Sequence, residues 1–406
     1  MIRRSRRTLA PAGVGLALAL AVAVAGCTAA TPLVPTPSSS LPTASGTASP
    51  SHAASVTPTS AEPPVPTCRA TAEGLSLRER AGQLLMVGVS GTLDAAERKA
   101  ITTYHAGSVI LMGSSSEGVK RTATRTAALA KLAGETGLLV AVDQEGGLVQ
   151  RLTGPGFTTI PSAAKQAKLS DEALRSRSQR WAEELAAAGV HLNLAPVADV
   201  VPAAKQSTNQ PVGRLGRGYG SQPEVVSAKV TAFADGMRAG GVSSAVKHFP
   251  GLGEVTGNTD FVARVVDNVT TATSPGLAPF RDAVEAEVAA VMVSSAYYAR
   301  IDARRPALFS PKVIGILGEW GFEGVVVSDD VGAARALRGV PVSRRARDFV
   351  AAGGDLAITV TPGLVPSLAA GLIKAAEADP EFDERVTQAA TTVLALKRAH
   401  GLVDCG

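Results

Sequence analysis

Excess charge of one sign is scarce in this chain. The formal balance is +5 over 406 residues, and four of the positive charges are Arg3, Arg4, Arg6 and Arg7, in a segment without acids. Removal of residues 1–26 leaves +1, so electrostatics recommends neither nucleic acid nor anionic lipid as a partner. A G-x-G-x-x-G turn after the first strand pattern is missing, and with it the dinucleotide-binding opening of a doubly wound sheet. Long apolar runs are also missing: the one within residues 8–25 is rich in Ala and Gly and too short to favour a permanent membrane span. Large apolar side chains are nearly absent from residues 28–66, where Ser, Thr, Pro and Ala dominate. Such a segment cannot offset its ordering entropy and is expected to be a disordered tether. Histidine is limited to five positions and cysteine to three.

The start of the chain, MIRRSRRTLAPAGVGLALALAVAVAGC, combines a basic end, an apolar run and small residues before Cys27. This pattern predicts a secretory signal. It resembles the lipobox of bacterial lipoproteins, which implies lipidation of Cys27 and an exported protein anchored to the outer face of the bacterial cell membrane. SRRTLA also resembles a twin-arginine export signal, and a transmembrane helix is the alternative reading of the run. Cys68 and Cys405 then remain, one at each end of the folded part, in a compartment where disulfides persist. A bridge between them requires the chain ends to meet; two unpaired thiols are the alternative.

From about residue 75 the chain alternates short β-branched runs with helical patterns, as parallel sheets covered by helices require. Eight strands are expected at residues 83–89, 108–112, 138–142, 191–195, 244–246, 290–293, 324–327 and 356–360. Helical patterns lie between them, for example at 172–188, 223–239, 277–288, 311–320 and 366–378. Eight such units in residues 67–406 fit a single α/β domain, a (β/α)8 TIM-type barrel, with an open doubly wound sheet as runner-up. Closure of a barrel would bring first and last elements together, which independently favours the Cys68–Cys405 bridge.

Three polar clusters fall at the carboxyl ends of expected strands, the catalytic face of such a barrel. They are Asp143-Gln-Glu-Gly-Gly147, Lys247-His248 and Ser328-Asp329-Asp330. In VVVSDD an apolar strand ends in two carboxylates, which gives Asp329 little freedom and suits a glycosidase nucleophile; helix capping by Asp329 or Asp330 is the alternative. Asp143 is an acceptor suited to paired sugar hydroxyls, Arg151 is a charged fork eight residues on, and the Gly-Gly pair permits a sharp turn. A structural turn with a surface salt bridge would use the same residues.

Several motifs in one order carry a resemblance: RERAGQLLMVGV (78–89), DQEGGLVQRL (143–152), LNLAPVADV (192–200), RGYGSQP (217–223), KHFPGLG (247–253) and GFEGVVVSDD (321–330). Together they resemble glycoside hydrolase family 3, in particular the single-barrel β-N-acetylglucosaminidases of bacterial peptidoglycan recycling. The resemblance implies Asp329 as nucleophile, and Asp143, Arg151, Arg217, Lys247 and His248 as residues holding the sugar. Arg214 competes with Arg217 for its place, three residues away. The resemblance further implies a peptidoglycan-fragment or oligosaccharide substrate, a monomer, and neither metal nor cofactor.

The pattern breaks in the fifth loop. Family members with a barrel-borne acid/base continue from K-H-F-P-G-H-G to D-S-H, whose histidine protonates the leaving oxygen. Here the triplet is Asn258-Thr259-Asp260, and the earlier loop histidine is Leu252. Of the five histidines, His52 lies in the tether, His105 before the second strand, His191 at the wrong rim and His400 near the C-terminus, while His248 belongs to the sugar site. Asp260 is therefore expected as acid and base, its carboxyl hydrogen-bonded by Asn258 and its pKa raised by burial or by Asp329. Glu254 is the second candidate. Alternatively Asp260 only stabilises the loop, and the chain is a glycan-binding lipoprotein with impaired catalysis.

Overall fold

Along each of eight short strands, side chains alternate between two buried environments, the signature of strands covered on both faces. In a computed structural model, which describes residues 68–405, these strands are β1 (Leu85–Val89), β2 (Ser108–Leu111), β3 (Leu139–Val142) and β4 (Leu192–Asn193). They continue as β5 (Ser243–Phe249), β6 (Ala290–Val293), β7 (Val325–Ser328) and β8 (Ala357–Thr359). Each pairs in parallel with its sequence neighbour, and β8 returns to β1 through Leu85↔Ala357.

Between β7 and β8 the circle closes: Ser328 N donates to Leu356 O at 3.0 Å and Asp355 N to Val326 O at 2.9 Å. The expected (β/α)8 barrel is what the chain forms, and the open sheet is excluded. The strand segments match those expected within one or two residues at most ends. The fourth shrinks to Leu192–Asn193, and the fifth extends through Lys247 and His248 to Phe249.

Met86, Ile110, Leu139, Ala141, Leu192, Leu194, Ala245, Ala290, Met292, Val325, Val327 and Ile358 point inward and fill the barrel. Their neighbours, such as Val87, Val109, Val140, Val246 and Val326, pack outward under the helices. This period of two decides the site. Counting on by two from Ala141, Ala245 and Val327 reaches Asp143, Lys247 and Asp329, which are thus aimed at the barrel axis where the apolar core stops.

Cys68 and Cys405 are joined by a disulfide across 337 residues, with Cα atoms 4.8 Å apart. Helices Arg69–Gly74 and Pro380–Ala399 pack side by side next to it. The expected pairing is formed, and the unpaired alternative is not. Cys27, the signal segment and the tether lie outside the described residues.

Candidate active site

A cavity of about 270 Å³ opens at the carboxyl end of the barrel. Asp143, Arg151, Arg217, Lys247, His248, Asp260 and Asp329, the seven side chains expected to act there, all line it. They come from the loops after β3, β4, β5 and β7 and from β5 itself, where pairing with β6 slips between Lys247 and Phe249.

At the floor of the cavity lies a charge cluster that sequence reasoning saw only in part. Lys247 Nζ donates to Asp143 Oδ1 at 2.6 Å and lies 2.7 Å from Glu145 Oε1. Arg217 grips the same Glu145 with two bonds, 2.9 Å from Nε and 2.7 Å from Nη2. Burial alone would raise the Glu145 pKa, yet Arg217 and Lys247 outweigh it and hold the carboxyl well below its usual range. Burial works against the Lys247 ammonium, but Asp143 and Glu145 raise it above the usual lysine value. Glu145 was overlooked although it stands two residues after Asp143 in a motif already singled out.

The turn after Asp143 keeps this cluster in place. Gln144 Oε1 accepts from the backbone of Arg151 and Leu152 at 2.9 and 3.0 Å, closing a small hairpin. Gly146 and Gly147 have φ of 100° and 59°, and a Cβ on Gly146 would meet Pro161 O at 2.4 Å. The Gly-Gly pair is therefore required for the sharp turn expected of it.

His248 is oriented by Asp199, the second residue that the sequence contained in a quoted motif without revealing its role. Asp199, fully buried, accepts from His248 Nδ1 at 2.8 Å and from the backbone N–H groups of His248 and Leu252 at 3.2 and 2.8 Å. Arg217 Nη2 stands 3.5 Å from His248 Nε2. This network fixes the ring with Nδ1 toward Asp199 and Nε2 toward Arg217. Arg214 is exposed and outside the cavity; Arg217 occupies the place for which the two competed.

The two carboxylates after β7 divide their tasks. Asp330 accepts from the backbone N–H groups of Gly332, Ala333 and Val360 at 2.8, 2.8 and 3.1 Å, and so ties the loop. Capping of the turn falls to Asp330, which frees Asp329. Asp329 Oδ1 accepts from the Asp330 N–H at 2.9 Å. Burial and then Asp260 raise its pKa, against His248, that N–H and Lys247.

Asp260 lies at the rim, exposed on one side and facing the cavity on the other. Crowding on the cavity side raises its pKa; Asp330 and Asp143 add to this, while His248 and Arg217 oppose it. The expected carboxyl contact with Asn258 is not formed: Asn258 Oδ1 instead accepts from the Asp260 backbone N–H at 2.9 Å, an Asx turn in which the side chain replaces a turn carbonyl. Thr259 O and Asp260 O accept from Ala336 N and Arg335 N at 3.2 and 3.4 Å, which docks this loop on the one after β7. Glu254, the second candidate acid, is held by Lys205 at 2.6 Å and does not line the cavity. His191 and His400 sit together at the opposite end of the barrel, with ring centroids 5.5 Å apart.

A pair of acid-raised carboxyls above a cluster of cations and sugar-sized space suits cleavage of a glycosidic bond. The comparisons agree. Residues 76–396 match the family described as "Glycosyl hydrolase family 3 N terminal domain". A protein named beta-hexosaminidase from Alkalilimnicola ehrlichii is 33% identical over 316 residues, 75% of this chain and 87% of that one. Beta-hexosaminidase LpqI of Mycobacterium tuberculosis is 31% identical over 341 residues, 80% of this chain and 84% of its own. Among solved structures, a beta-N-acetylhexosaminidase from Beutenbergia cavernae superposes with a TM-score of 0.78 at 43% identity, covering 80% of this chain and 99% of that one. The barrel, its order of motifs and these likenesses lead to one conclusion: the chain belongs to glycosyl hydrolase family 3.

Proposed function

We propose that this chain is a retaining β-glycosidase that removes terminal non-reducing N-acetyl-β-D-glucosamine from peptidoglycan-derived or related glycans. The observation that carries the proposal is the meeting of Asp329 and Asp260 at one cavity, both with raised pKa values, together with Asp143, Arg151, Arg217, Lys247 and His248. The names of the relatives support the sugar. The fixed cations and acceptors of the cavity floor suit a ring of hydroxyls.

Two carboxyls that resist joint ionisation share a proton. In this reading Asp329 carries the charge, with the Asp330 N–H and Lys247 to stabilise it, and Asp260, facing Asp330 and Asp143, carries the proton. Asp329 attacks the anomeric carbon while the leaving oxygen departs with the Asp260 proton. The resulting glycosyl ester on Asp329 is cleaved by a water whose proton Asp260 takes back. The carboxyls of a retaining pair stand about 5–5.5 Å apart in the competent state.

The site of action follows from the other end of the chain. The reading places the mature protein outside the cytoplasm as a monomer, lipid-anchored through Cys27, and the Cys68–Cys405 bridge supports an oxidising compartment.

The test is hydrolysis of an aryl β-N-acetylglucosaminide and of an unactivated disaccharide by wild type, Asp329→Ala and Asp260→Asn. Asp329→Ala should abolish both reactions. Asp260→Asn should harm the disaccharide far more than the aryl glycoside, whose leaving group needs little protonation. Binding of N-acetylglucosamine without turnover of either substrate would replace this reading by that of a glycan-binding barrel.

A further inference from the structure

A second cavity, of about 420 Å³, shares no lining residue with the catalytic one. Its volume falls within the range of about 300–1,000 Å³ typical of small-molecule sites. One wall is the chain that follows β6, with Tyr297, Arg304, Arg305 and Phe309; the other is the start of the helix Val342–Ala351, with Pro341 and Arg344. The one lining carboxylate, Asp348, is shared between Arg344 at 3.2 Å and Arg347 at 2.5 Å. Asp302 spends its oxygens on the Arg304 backbone N–H at 3.0 Å and the Ser310 hydroxyl at 2.8 Å, and attracts Arg305 only through space. Arg304 and Arg305 are exposed and form no salt bridge among the described residues. Three guanidinium groups thus line one cavity with a single shared carboxylate to neutralise them, on a chain whose formal charge is only +5 over 406 residues. The helix begins at this wall without a side-chain cap, so the positive end of its dipole adds to theirs.

The walls narrow the chemistry of a ligand. A planar carboxylate offers two oxygens and is saturated by one guanidinium fork, whereas a tetrahedral phosphoryl group offers three and can take forks from several sides. Each exposed ion pair is weak, so arginines in this setting hold an anion only when several act on it together. The apolar faces of Tyr297, Phe309 and Pro341 are wasted on a bare ion and suit a carbon skeleton beside the charge. The Tyr297 ring is already held from another side by Arg264, whose guanidinium carbon lies 4.1 Å from its centroid.

We propose that this cavity is a binding site, separate from the catalytic one, for a small phosphorylated molecule of the sugar-phosphate or polyol-phosphate class. The phosphoryl group sits among Arg304, Arg305 and Arg344, and the carbon skeleton lies against Tyr297, Phe309 and Pro341. The inference does not depend on which sugar the catalytic cavity cleaves.

The experiment is calorimetric titration of the full chain at low ionic strength with glucose 6-phosphate, glucose and inorganic phosphate. Glucose 6-phosphate should bind about tenfold more tightly than inorganic phosphate, glucose should not bind, and added salt should weaken both anions. Saturating N-acetylglucosamine should leave the glucose 6-phosphate affinity within about twofold, because separate cavities have little coupling. Arg304→Ala/Arg305→Ala should weaken that affinity about tenfold or more, and Arg304→Lys/Arg305→Lys should retain only part of it, since an ammonium lacks the fork. Arg175→Ala/Arg177→Ala, which removes two exposed charges from the helix Asp171–Ala187, should change nothing. Glucose or inorganic phosphate binding as tightly as glucose 6-phosphate, displacement by N-acetylglucosamine, or an affinity that survives the Arg304→Ala/Arg305→Ala variant overturns the proposal. So does an affinity lost equally in both alanine pairs, which would report net charge alone. Absence of glucose 6-phosphate binding overturns it too; aggregation of Arg304→Ala/Arg305→Ala would then assign the two arginines to guarding the sheet edge formed by Asp302–Pro306.

Discussion

Lys247 Nζ stands 2.7 Å from Glu145 Oε1, and the two side chains are only 3% and 4% exposed. Glu145 also holds Arg217 by two hydrogen bonds, so a single carboxylate positions both cations of the proposed sugar site. Removal of Glu145 should therefore do more than delete one contact. Glu145→Ala leaves two desolvated cations without the carboxylate that pairs them, and breaking a buried pair of this kind costs about 3–5 kcal/mol. Thermal unfolding should show this loss. Glu145→Gln should fold better but bind sugar on the order of tenfold more weakly, because Arg217 and Lys247 are released from their set positions.

The pH profile should report the Asp260–Asp329 pair and not either residue alone. The proposed mechanism requires Asp329 ionised and Asp260 protonated. Asp329 is raised by burial and by Asp260, so the acid limb of kcat/KM lies above the usual aspartate value; Asp260 is raised too, so the alkaline limb follows it. Asp260→Asn should shift the acid limb downward, since the second-largest cause of the Asp329 shift is gone. An acid limb that stays in place in Asp260→Asn would separate the two carboxyls.

Rebuilding the histidine that family members carry is a sharper test of the same loop. Asn258→Asp/Asp260→His should keep the Asx turn, since aspartate retains the oxygen that accepts the Asp260 backbone N–H. A histidine acid titrates near 6.5 when unperturbed, so the alkaline limb should move toward neutrality. Disaccharide hydrolysis at pH 7 relative to pH 5 should then rise. No change in this ratio would mean that residue 260 does not donate the proton.

Between the two chain ends, the disulfide closes a loop of 337 residues and should stabilise the barrel chiefly by restricting the unfolded chain. Cys68→Ser/Cys405→Ser should lose about 2–5 kcal/mol of stability. Aryl glycoside hydrolysis at low temperature should be nearly unchanged, because the bridge lines no part of the cavity. Denaturant unfolding with and without reductant is the measurement.

At the other end of the barrel, two buried bases set how stability varies with pH. Burial, and secondly His400, lower His191 to about 4. Between about 4 and 6.5 the unfolded chain binds the proton that folded His191 refuses, so stability should fall as pH falls through this window. Burial lowers Lys397 to about 7, although its Nζ donates to Gln83 Oε1 at 2.6 Å, Thr136 O at 3.1 Å and Gly137 O at 3.0 Å. Three acceptors favour the ammonium and oppose part of that shift. From about 7 upward the same sign holds, and stability should rise until the unfolded lysine titrates. Lys397→Met should flatten the alkaline part of a melting temperature against pH curve and leave the His191 part intact.

How much of this was legible beforehand can be judged residue by residue. The period of two in VVVS and the abrupt carboxylates after it place Asp329 at the mouth of a barrel, and the same parity places Asp143 and Lys247, because strand geometry is local and nearly sequence-independent. The Gly-Gly turn and the scarcity of histidine are equally local statements, as is the aspartate at position 260 where the family resemblance implies a histidine. What Glu145 and Asp199 do was hidden, since their partners Lys247, Arg217 and His248 lie 49 to 102 positions away and become neighbours only when strands three to five are paired. The choice between Arg214 and Arg217, and the dismissal of Glu254 in favour of its bond to Lys205, likewise depended on loop paths that no periodicity encodes. Sequence by itself determined the barrel, its catalytic rim and the residue types available there, because backbone period and side-chain chemistry are carried by each segment. Tertiary structure alone decided which charges meet, because electrostatic energy depends on distance and burial, and both are properties of the closed barrel.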